Sequence, residues 1–371
     1  MIMNSVVNRG ILPRHCDGET QGESMTIYNT VLVGCGFRGA VHARAVLANS
    51  ARFRLVAVCD LDVERLTPFA AEFEIANTYS DAEAMLVAEQ PDVLCFATMP
   101  NVRLPLVALG VKHGVKAISL EKPMALSLRE AKQMVDLCAA ADVKLIVCHQ
   151  WRYSLLWRKT YALVHQGEIG QLHTIHASSR PSVLRVGTHL IDYMLWLNGG
   201  HSGDWVLGQA HGAAAFEEDH PCPDHLSGTI AFRNGVRGIL ECGTLAPHLI
   251  DEDNFWEDCG ITLYGTQGYV RTVLGTGLQA FTRDSGPFLI TEPPDPAPQE
   301  PAHMRDLADW LDDPQQVHPC NGAVSYTGFE LMMGMLLSSL QRRKVDIPID
   351  PMPQTPILPQ LKDALCEVRR P

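Results

Sequence analysis

Runs of positive charge and long apolar segments are both missing from this chain of 371 residues, whose formal net charge is −12. No stretch is rich in Lys and Arg, which argues against binding to a nucleic-acid backbone or to an anionic membrane surface. The longest apolar run near the C-terminus, residues 331–340, contains two serines and is too short to span a bilayer. We therefore expect neither a nucleic-acid partner nor a membrane partner.

Closely spaced cysteine pairs are missing as well, although the chain has 11 cysteines. They are scattered singly with no CxxC pair, which is typical of reduced thiols in a reducing compartment. Residues 1–24 lack the apolar segment of a secretory signal, and no twin-arginine pair occurs in them. The sequence thus predicts a cytoplasmic protein with an N-terminal extension, residues 1–26, that is disordered or reflects an upstream start.

Apolar strands and helical segments alternate five times in the first part of the chain. The strands are predicted at residues 30–34, 53–59, 93–97, 117–120 and 144–148, with helices between them. Short and continuously apolar strands joined by helices predict a parallel sheet covered on both faces. We expect a doubly wound α/β domain over residues 27–150.

The pattern changes after residue 150. One strand of alternating polarity is predicted at 171–179, and two more, 226–234 and 236–244, are joined by Asn234-Gly235, a strong hairpin signal. Another strand pair is predicted at 261–272 and a helix at 323–342, whereas the proline-rich residues 285–301 predict a surface loop. The sequence predicts an α+β domain with a largely antiparallel sheet over 151–350, followed by a proline-broken tail, 351–371.

A complete GxGxxG motif, Gly34, Gly36 and Gly39, lies between the first predicted strand and the first predicted helix. Glycines there permit a tight turn, close approach of a pyrophosphate to the backbone, and close helix–strand packing. Asp60 ends the second strand, where a carboxylate can bind ribose hydroxyls. The pattern predicts dinucleotide binding, with NAD favoured over NADP because no arginine stands where a 2′-phosphate would need one.

Glu121-Lys122-Pro123 directly follows the fourth strand, which places the lysine ammonium in the crevice where ligands of such sheets bind. Other short motifs accompany it: GCGxxG followed by His42, ATMPN, LEKPMALS, HQWRY and a GEIG turn. In this combination the sequence resembles the Gfo/Idh/MocA family, the family of glucose–fructose oxidoreductase and inositol dehydrogenase. The resemblance is clear from about residue 28 to 200 and looser as far as about 330.

The resemblance implies a Rossmann domain followed by an open-faced α+β domain whose sheet commonly makes oligomer contacts, so we expect a homodimer or homotetramer. It also implies nicotinamide-linked oxidation or reduction of a carbohydrate-like small molecule, with Lys122 as the catalytic-site lysine. The family's cofactor contacts map onto Gly34, Gly36, Phe37, Arg38, Gly39, Asp60, Thr98, Pro100, Asn101, Glu121 and Lys122.

A polar stripe is predicted on an apolar helix, because Arg185, His189, Asp192 and Trp196 share one helical face by their spacing. The spacing alone equally suits a solvated face or a buried His189–Asp192 pair. The resemblance assigns the family's catalytic histidine to His189 in its HxxD pattern.

Position 185 departs from the family, because many members carry an aspartate four residues before that histidine. An arginine cannot act as a base and favours carboxylate or phosphate. Two interpretations stay open: an anionic substrate such as a sugar acid, with Arg180 as a second contact, or altered chemistry. Arg185 could also simply pair with Asp192 or Glu241.

As a hypothesis, the substrate hydroxyl lies between His189, which takes its proton, and Lys122, which stabilises the developing oxyanion. Asp192 would orient the histidine or bind a neighbouring hydroxyl. The remaining substrate contacts are assigned to Arg185, Gln150, Trp151, Arg152 and Tyr153.

The sequence favours three alternatives less. The first is an NAD-bound glycoside-cleaving or isomerising enzyme that recycles its cofactor internally. The second is a non-catalytic regulator that senses NAD and a sugar, and Arg185 is the only residue that supports it. The third is a metal site at His220 to His225, whose spacing fits no common zinc pattern, so no metal is expected.

Overall fold

A computed structural model describes residues 26–251, 254–291 and 298–367, and six parallel strands form its first sheet. They are β1 (Tyr28–Val33), β2 (Phe53–Cys59), β3 (Asn77–Tyr79), β4 (Val93–Phe96), β5 (Ala117–Leu120) and β6 (Lys144–Val147). Their order is β3–β2–β1–β4–β5–β6. The connecting helices are α1 (Phe37–Leu47), α2 (Val63–Glu72), α3 (Ala82–Glu89), α4 (Arg103–Lys112) and α5 (Leu128–Ala140). The predicted doubly wound fold is confirmed.

The strand order reverses between β1 and β4, which places the loops that follow these two strands side by side. Ligands of open α/β sheets bind in the crevice at such a point. The loop after β1 carries the glycine motif, and the loop after β4 carries Thr98. Strand β3 was not predicted, because its three residues contain no apolar run.

A nine-stranded and mostly antiparallel sheet follows. Its strands are β7 (Leu172–Ser179), β8 (Gly203–His211), β9 (His225–Phe232), β10 (Arg237–Gly243), β11 (Cys259–Gly265), β12 (Gly268–Val273), β13 (Gly277–Thr282), β14 (Gly286–Thr291) and β15 (Val345–Asp346). They are ordered β14–β13–β12–β11–β7–β10–β9–β8–β15, and only β7 and β10 pair in parallel. The predicted hairpin at Asn234-Gly235 joins β9 to β10, and the predicted strand pair is β11–β12.

Five further α-helices follow α5 in the described residues: α6 (Leu155–His165), α7 (Thr188–Leu197), α8 (Glu300–Asp312), α9 (Gly322–Gln341) and α10 (Ile357–Glu367). Helix α9 has 20 residues. None of the helices in the described part of the chain is long and apolar enough to cross a membrane.

Helix α8 packs back onto the first sheet's helix α1. Met304 and Leu307 share a buried apolar cluster with Val46, and the Tyr28 hydroxyl donates to Asp312 over 2.6 Å. The chain therefore returns to the nucleotide-binding half after residue 298, inside the range predicted for the second domain.

Two predictions about loops are wrong. Within the expected loop 285–301, residues 286–291 form β14, and helix α8 begins at Glu300. Within the expected tail 351–371, residues 357–367 form α10, which packs against α9. Both helices tolerate a proline because it lies in the first turn, where its missing N–H costs no helical hydrogen bond. The expectation for residues 1–26 concerns positions that, apart from residue 26, lie outside the described residues.

Candidate active site

The three glycines after β1 differ in what a side chain would meet at each position. Gly34 has φ of +98°, and a Cβ there would lie 2.6 Å from the carbonyl oxygen of Ala97. At Gly39 a Cβ would lie 1.9 Å from the Gly34 carbonyl oxygen, so this glycine lets α1 pack closely against the strand. A Cβ at Gly36 would meet no atom within 4 Å, so space is open beside the loop. The loop thus leaves room beside Gly36, where the sequence predicts the pyrophosphate of a dinucleotide.

Asp60 reaches this loop from the end of β2. Its carboxylate accepts hydrogen bonds from the backbone N–H of Cys35 over 2.7 Å and of Asp62 over 2.9 Å. Within the described residues the hydroxyl of Thr98 is buried without a hydrogen-bond partner, which leaves a donor for a ligand. The other predicted cofactor contacts in these loops are Phe37 and Asn101, which are exposed, and Pro100, which is buried.

Arg103, at the start of α4, was missed by sequence reasoning because an arginine at a helix start resembles a surface residue. It is 2% exposed and donates to the carbonyl oxygens of Thr98 over 2.6 Å and Glu121 over 2.5 Å, and also to that of Pro123. Burial lowers the pKa of Arg103 to about 10, so the guanidinium keeps its charge at neutral pH. This one side chain ties the loop after β4 to the loop after β5.

Glu121 is buried behind the cofactor crevice. Its carboxylate accepts from Arg38 Nε over 2.7 Å and lies 3.0 Å from His42 Nε2. Burial alone would raise the pKa of Glu121, but Arg38 and His42 hold it well below the usual range. Arg38 also pairs with Glu300 at 3.2 Å, so the predicted cofactor residues Arg38 and Glu121 are joined in one ionic cluster.

Lys122 extends from the end of β5 towards the second domain. Its ammonium donates to the backbone carbonyl of Arg185 over 2.7 Å. Burial lowers the pKa of Lys122 to about 8, with Glu121 opposing the shift and Arg38 and Arg103 adding to it. The ammonium form therefore still predominates at pH 7, beside a minor fraction of neutral amine that grows towards pH 8.

His189 lies on α7 and is 2% exposed. Its Nδ1 is 3.1 Å from the hydroxyl oxygen of Tyr193, and its ring stacks on Trp151 with 4.4 Å between centroids. Burial, followed by the charges of Lys122 and His149, holds the pKa of His189 well below its usual range. The structure thus brings His189 into the electrostatic reach of Lys122, with Trp151 alongside.

Asp192 forms no hydrogen bond with His189, the histidine that it was expected to orient. Its carboxylate takes a bidentate pair of hydrogen bonds from Arg152, over 2.7 and 2.6 Å, and lies 3.3 Å from His149 Nδ1. Burial would raise the pKa of Asp192, but Arg152 and His149 keep it below the usual range. Arg152, 40 residues away along the chain, is occupied by this buried pair rather than facing a substrate.

Arg185 lies outside the regular helix that carries His189, because residues 183–187 form a π-helical turn and α7 begins only at Thr188. Its guanidinium pairs with Glu218 at 3.0 Å and lies over the Trp256 ring at 5.5 Å, so it pairs with neither Asp192 nor Glu241. The proposed second contact, Arg180, donates to the carbonyls of Thr244 and Ala246.

The remaining predicted substrate residues have different surroundings. Gln150 is buried and accepts from the Cys148 thiol, and the Tyr153 hydroxyl donates to Asp306 over 2.7 Å, beside His318. Two residues of the HQWRY segment lie against the His189 ring: Trp151 stacks on it, and His149 meets it edge-on with 5.3 Å between centroids. Gln150 and Tyr153 instead contribute to packing behind the site.

His220, in the loop between β8 and β9, is a second residue that sequence reasoning did not assign to the site. Its Nδ1 is buried and has no partner among the residues described. Burial, then the charges of Lys122, Arg185 and Arg103, lowers its pKa to about 4. The neutral imidazole thus lies near the lysine with a free polar atom.

Two groups of metal-type side chains occur in the described ranges: His42, Glu121 and Cys148 within the site, and His303, His318 and Cys320 away from it. Both ring nitrogens of His318 are already hydrogen-bonded, Nδ1 to the Cys320 N–H over 2.9 Å and Nε2 to the His303 carbonyl over 3.0 Å. This cluster therefore suits buried packing better than metal binding.

Comparison with known proteins begins with the two halves of the chain. Residues 28–149 match the model of an oxidoreductase family with an NAD-binding Rossmann fold, and residues 157–271 match the GFO/IDH/MocA C-terminal domain. The D-apiose dehydrogenase of Paraburkholderia graminis is 37% identical over 145 residues, 38% of each chain. The rhizopine catabolism protein MocA of Rhizobium meliloti is 25% identical over 266 residues, 66% of this chain and 78% of that one. The chain spans about two fifths to one half of the first curated relatives it matches.

Solved structures share the fold over nearly their whole length. An oxidoreductase from Agrobacterium radiobacter, in complex with NAD⁺, L-tartaric acid and magnesium, has a TM-score of 0.75 at 22% identity and covers 86% of this chain and 98% of its own. Levoglucosan dehydrogenase, in complex with NADH and levoglucosan, has a TM-score of 0.74 at 17% identity and covers 87% of this chain and 100% of its own. At these identities the likeness shows the fold alone.

Proposed function

The chain belongs to the GFO/IDH/MocA family of oxidoreductases, and from that premise we propose that it transfers a hydride between NAD and a hydroxyl-bearing carbon of a sugar, polyol or glycoside. The observation that carries the proposal is the convergence of two proton-handling groups beside the nucleotide crevice. Lys122 Nζ lies on the carbonyl of Arg185, three residues before α7, and α7 carries His189. A substrate hydroxyl between these two groups meets an amine and an imidazole at once.

NAD fits the crevice by its open space at Gly36 and by the unpartnered hydroxyl of Thr98. The N-terminus of α1 adds positive potential for the phosphates. When bound, NAD supplies the nicotinamide ring that accepts or returns the hydride. The residues proposed to hold it are Gly34, Gly36, Phe37, Arg38, Gly39, Asp60, Thr98, Pro100, Asn101, Glu121 and Lys122.

The protein's own groups handle the proton and the sugar. Lys122 Nζ exchanges the Arg185 carbonyl for the substrate oxygen, and His189 contacts the same oxygen. Trp151, stacked on His189, offers an apolar face for a sugar ring. The buried surroundings exclude water and strengthen each polar contact.

A neutral polyhydroxyl substrate is favoured over an anionic one. The guanidinium of Arg185, the residue that suggested a sugar acid, already pairs with the carboxylate of Glu218. The names of the relatives support the carbohydrate class, since they include D-apiose dehydrogenase and inositol 2-dehydrogenase.

An absorbance assay at the NADH band tests the function. The purified chain with NAD or NADP faces a panel of polyols, aldoses, glycosides and sugar acids, and we expect NAD-dependent turnover of a neutral member. Turnover of sugar acids alone would contradict the neutral class. Tight NAD binding by calorimetry without NADH accumulation on any member would instead support the cofactor-recycling enzyme or the sensor.

We also propose a homodimer or homotetramer that forms through the outer face of the second sheet. Large apolar side chains are exposed on several of its strands: Leu207, Ile239, Phe281 and Leu289. The register of the strands places these side chains on one face of the sheet, which is open to a second copy of the chain. Light scattering coupled to size exclusion measures the mass directly, and a monomer at micromolar concentration would refute this.

A further inference from the structure

The hydroxyl of Tyr193 has two hydrogen-bond partners, and one of them can only donate. Tyr193 is fully buried on α7, and the backbone N–H of Trp151 donates to its oxygen over 3.1 Å. The other partner is His189 Nδ1, also at 3.1 Å. Within the described residues no third polar group takes the phenolic hydrogen.

This arrangement determines which nitrogen of His189 carries the proton. Burial raises the pKa of Tyr193 well above its usual range, so the hydroxyl keeps its hydrogen. If Nδ1 were protonated, the phenol oxygen would accept twice, and its own hydrogen would be left unpaired in a dry environment. A buried donor without an acceptor is strongly disfavoured. The phenol therefore donates to Nδ1, and the proton of neutral His189 lies on Nε2.

We propose that Tyr193 is a positioning residue that holds His189 in the Nε2–H form, so that His189 donates a hydrogen bond to the substrate oxygen and the Lys122 amine accepts the substrate proton. The inference rests on the proposed function for its reaction, but the state of the imidazole does not. It reverses the hypothesis drawn from the sequence, in which His189 takes the proton and Lys122 only stabilises charge.

The steps balance. In oxidation the carbon–hydrogen bond breaks and its electron pair leaves with the hydride for NAD, while the hydroxyl proton moves to the neutral amine of Lys122. A carbonyl group and an ammonium result. In reduction the ammonium returns the proton to the oxygen.

The surrounding charges agree with this division of roles. Burial, Lys122 and His149 keep the pKa of His189 well below its usual range, so this ring is a poor place to hold a proton. The pKa of Lys122 is about 8, which lets the amine alternate between both forms near neutral pH. The titratable and charged groups that face the two residues are Glu121, Asp192, His149, Arg38, Arg103, Cys148 and His220.

The first test reads the tautomer directly and needs no turnover. The full chain is labelled with ¹⁵N-histidine, and long-range ¹H–¹⁵N spectra are recorded, with His189 assigned by the signals lost in His189→Gln. We expect a protonated Nε2 and an unprotonated Nδ1. The opposite pattern would overturn the inference even if the enzyme turned over as proposed.

The second test removes the donor. Tyr193→Phe keeps the ring and should convert His189 to a mixture of tautomers and lower kcat about tenfold. Tyr161→Phe is the matched control, because Tyr161 stacks on Trp196 and His165. The His189 signals and kcat should be unchanged in that control. A Tyr193→Phe protein with the wild-type tautomer would refute the role of Tyr193.

The third test separates the proton acceptor from the donor. The amide of His189→Gln can still donate a hydrogen bond but cannot take a proton, so the limb of kcat/KM that rises with pH near 8 should persist at a reduced rate. Loss of that limb in His189→Gln would make His189 the proton acceptor. No turnover in any variant or in the wild type would instead count against the proposed function.

Discussion

Two buried carboxylates lie near Lys122 and His189, the two groups proposed to react, and they act on them differently. Glu121 is bound by Arg38, whose side chain remains one-third exposed, and it adjoins Lys122. Asp192 is bound on both oxygens by Arg152, which is almost fully buried. The charge of Glu121 is the largest opposition to the lowering of the Lys122 pKa by burial, whereas the charge of Asp192 is the weakest of the influences on His189.

The difference teaches that two buried acids can have separate tasks: Glu121 raises the pKa of the adjoining Lys122, whereas Asp192 is committed to Arg152. The bidentate guanidinium of Arg152 holds both oxygens of Asp192, so that carboxylate serves mainly to hold the fold together. Glu121 keeps some influence on its neighbour, so it serves the chemistry as well. The experiments below separate these two roles.

Replacing the lysine itself should have the largest effect. Lys122→Met removes the group that Glu121 tunes, and we expect kcat to fall by about 10³-fold or more. His189→Gln should cost less, on the order of 10- to 100-fold, because a hydrogen-bond donor remains. Steady-state kinetics measure both, with calorimetry to check that NAD still binds. Equal losses in the two variants would contradict the assignment of unequal roles.

Stability should separate the two acids next. Asp192→Asn leaves the guanidinium of Arg152 buried without its counter-charge and should lower the free energy of unfolding by about 3–5 kcal/mol. Glu121→Gln should cost only about 1–2 kcal/mol, because Arg38 is part-exposed and keeps Glu300. Urea unfolding followed by tryptophan fluorescence gives both values. A larger loss in Glu121→Gln would reverse the comparison.

The pH dependence of kcat/KM should respond more to Glu121→Gln than to Asp192→Asn, the reverse of the order expected for stability. Glu121 raises the pKa of Lys122, so Glu121→Gln should lower this pKa and move the rising limb of kcat/KM about one pH unit towards acid. Asp192→Asn should leave the limb in place. Glu83→Gln, which removes only an exposed partner of Lys112, is the control. A shift of the limb towards alkaline pH in Glu121→Gln would contradict the role of Glu121 in raising the pKa of Lys122.

The smallest expected change in the kinetic constants is at His220, which is hydrogen-bonded to neither Glu121 nor Asp192. If its unpartnered Nδ1 meets a substrate hydroxyl, His220→Ala should raise KM about five- to tenfold and leave kcat nearly unchanged. His201→Ala, at an exposed histidine of a different loop, should change neither constant. A fall in kcat at constant KM would place His220 in the chemistry rather than in binding.

The parts that were predicted from the sequence are those encoded within a few consecutive residues. The glycine loop, the hairpin at Asn234-Gly235 and the apolar strands of the first sheet depend on local geometry, and the structure has them at the expected places. The prediction is wrong where a proline begins a helix. Pro301 and Pro359 lie in the first turns of α8 and α10, and the sequence predicted a loop and a tail there. Local pattern alone did not distinguish a proline that starts a helix from one that interrupts it.

The contacts within the site could not be obtained in this way, because they join distant parts of the chain. Arg152 and Asp192 are 40 residues apart, and Arg103 reaches the EKP loop across 20 residues. Each of these residues also suits a solvated surface when only its neighbours are considered. Tyr193 was assigned to the core on its apolar spacing, which is true of its ring but leaves out its hydroxyl.

One contact bears on how the site can diversify. Lys122 is held across the seam between the two sheets by the backbone of position 185, not by its side chain. Every amino acid offers the same carbonyl there, so this position can change its side chain while the lysine keeps its resting anchor. Selection is then free to remodel the wall of the pocket at position 185 without having to rebuild the reaction centre at the same time.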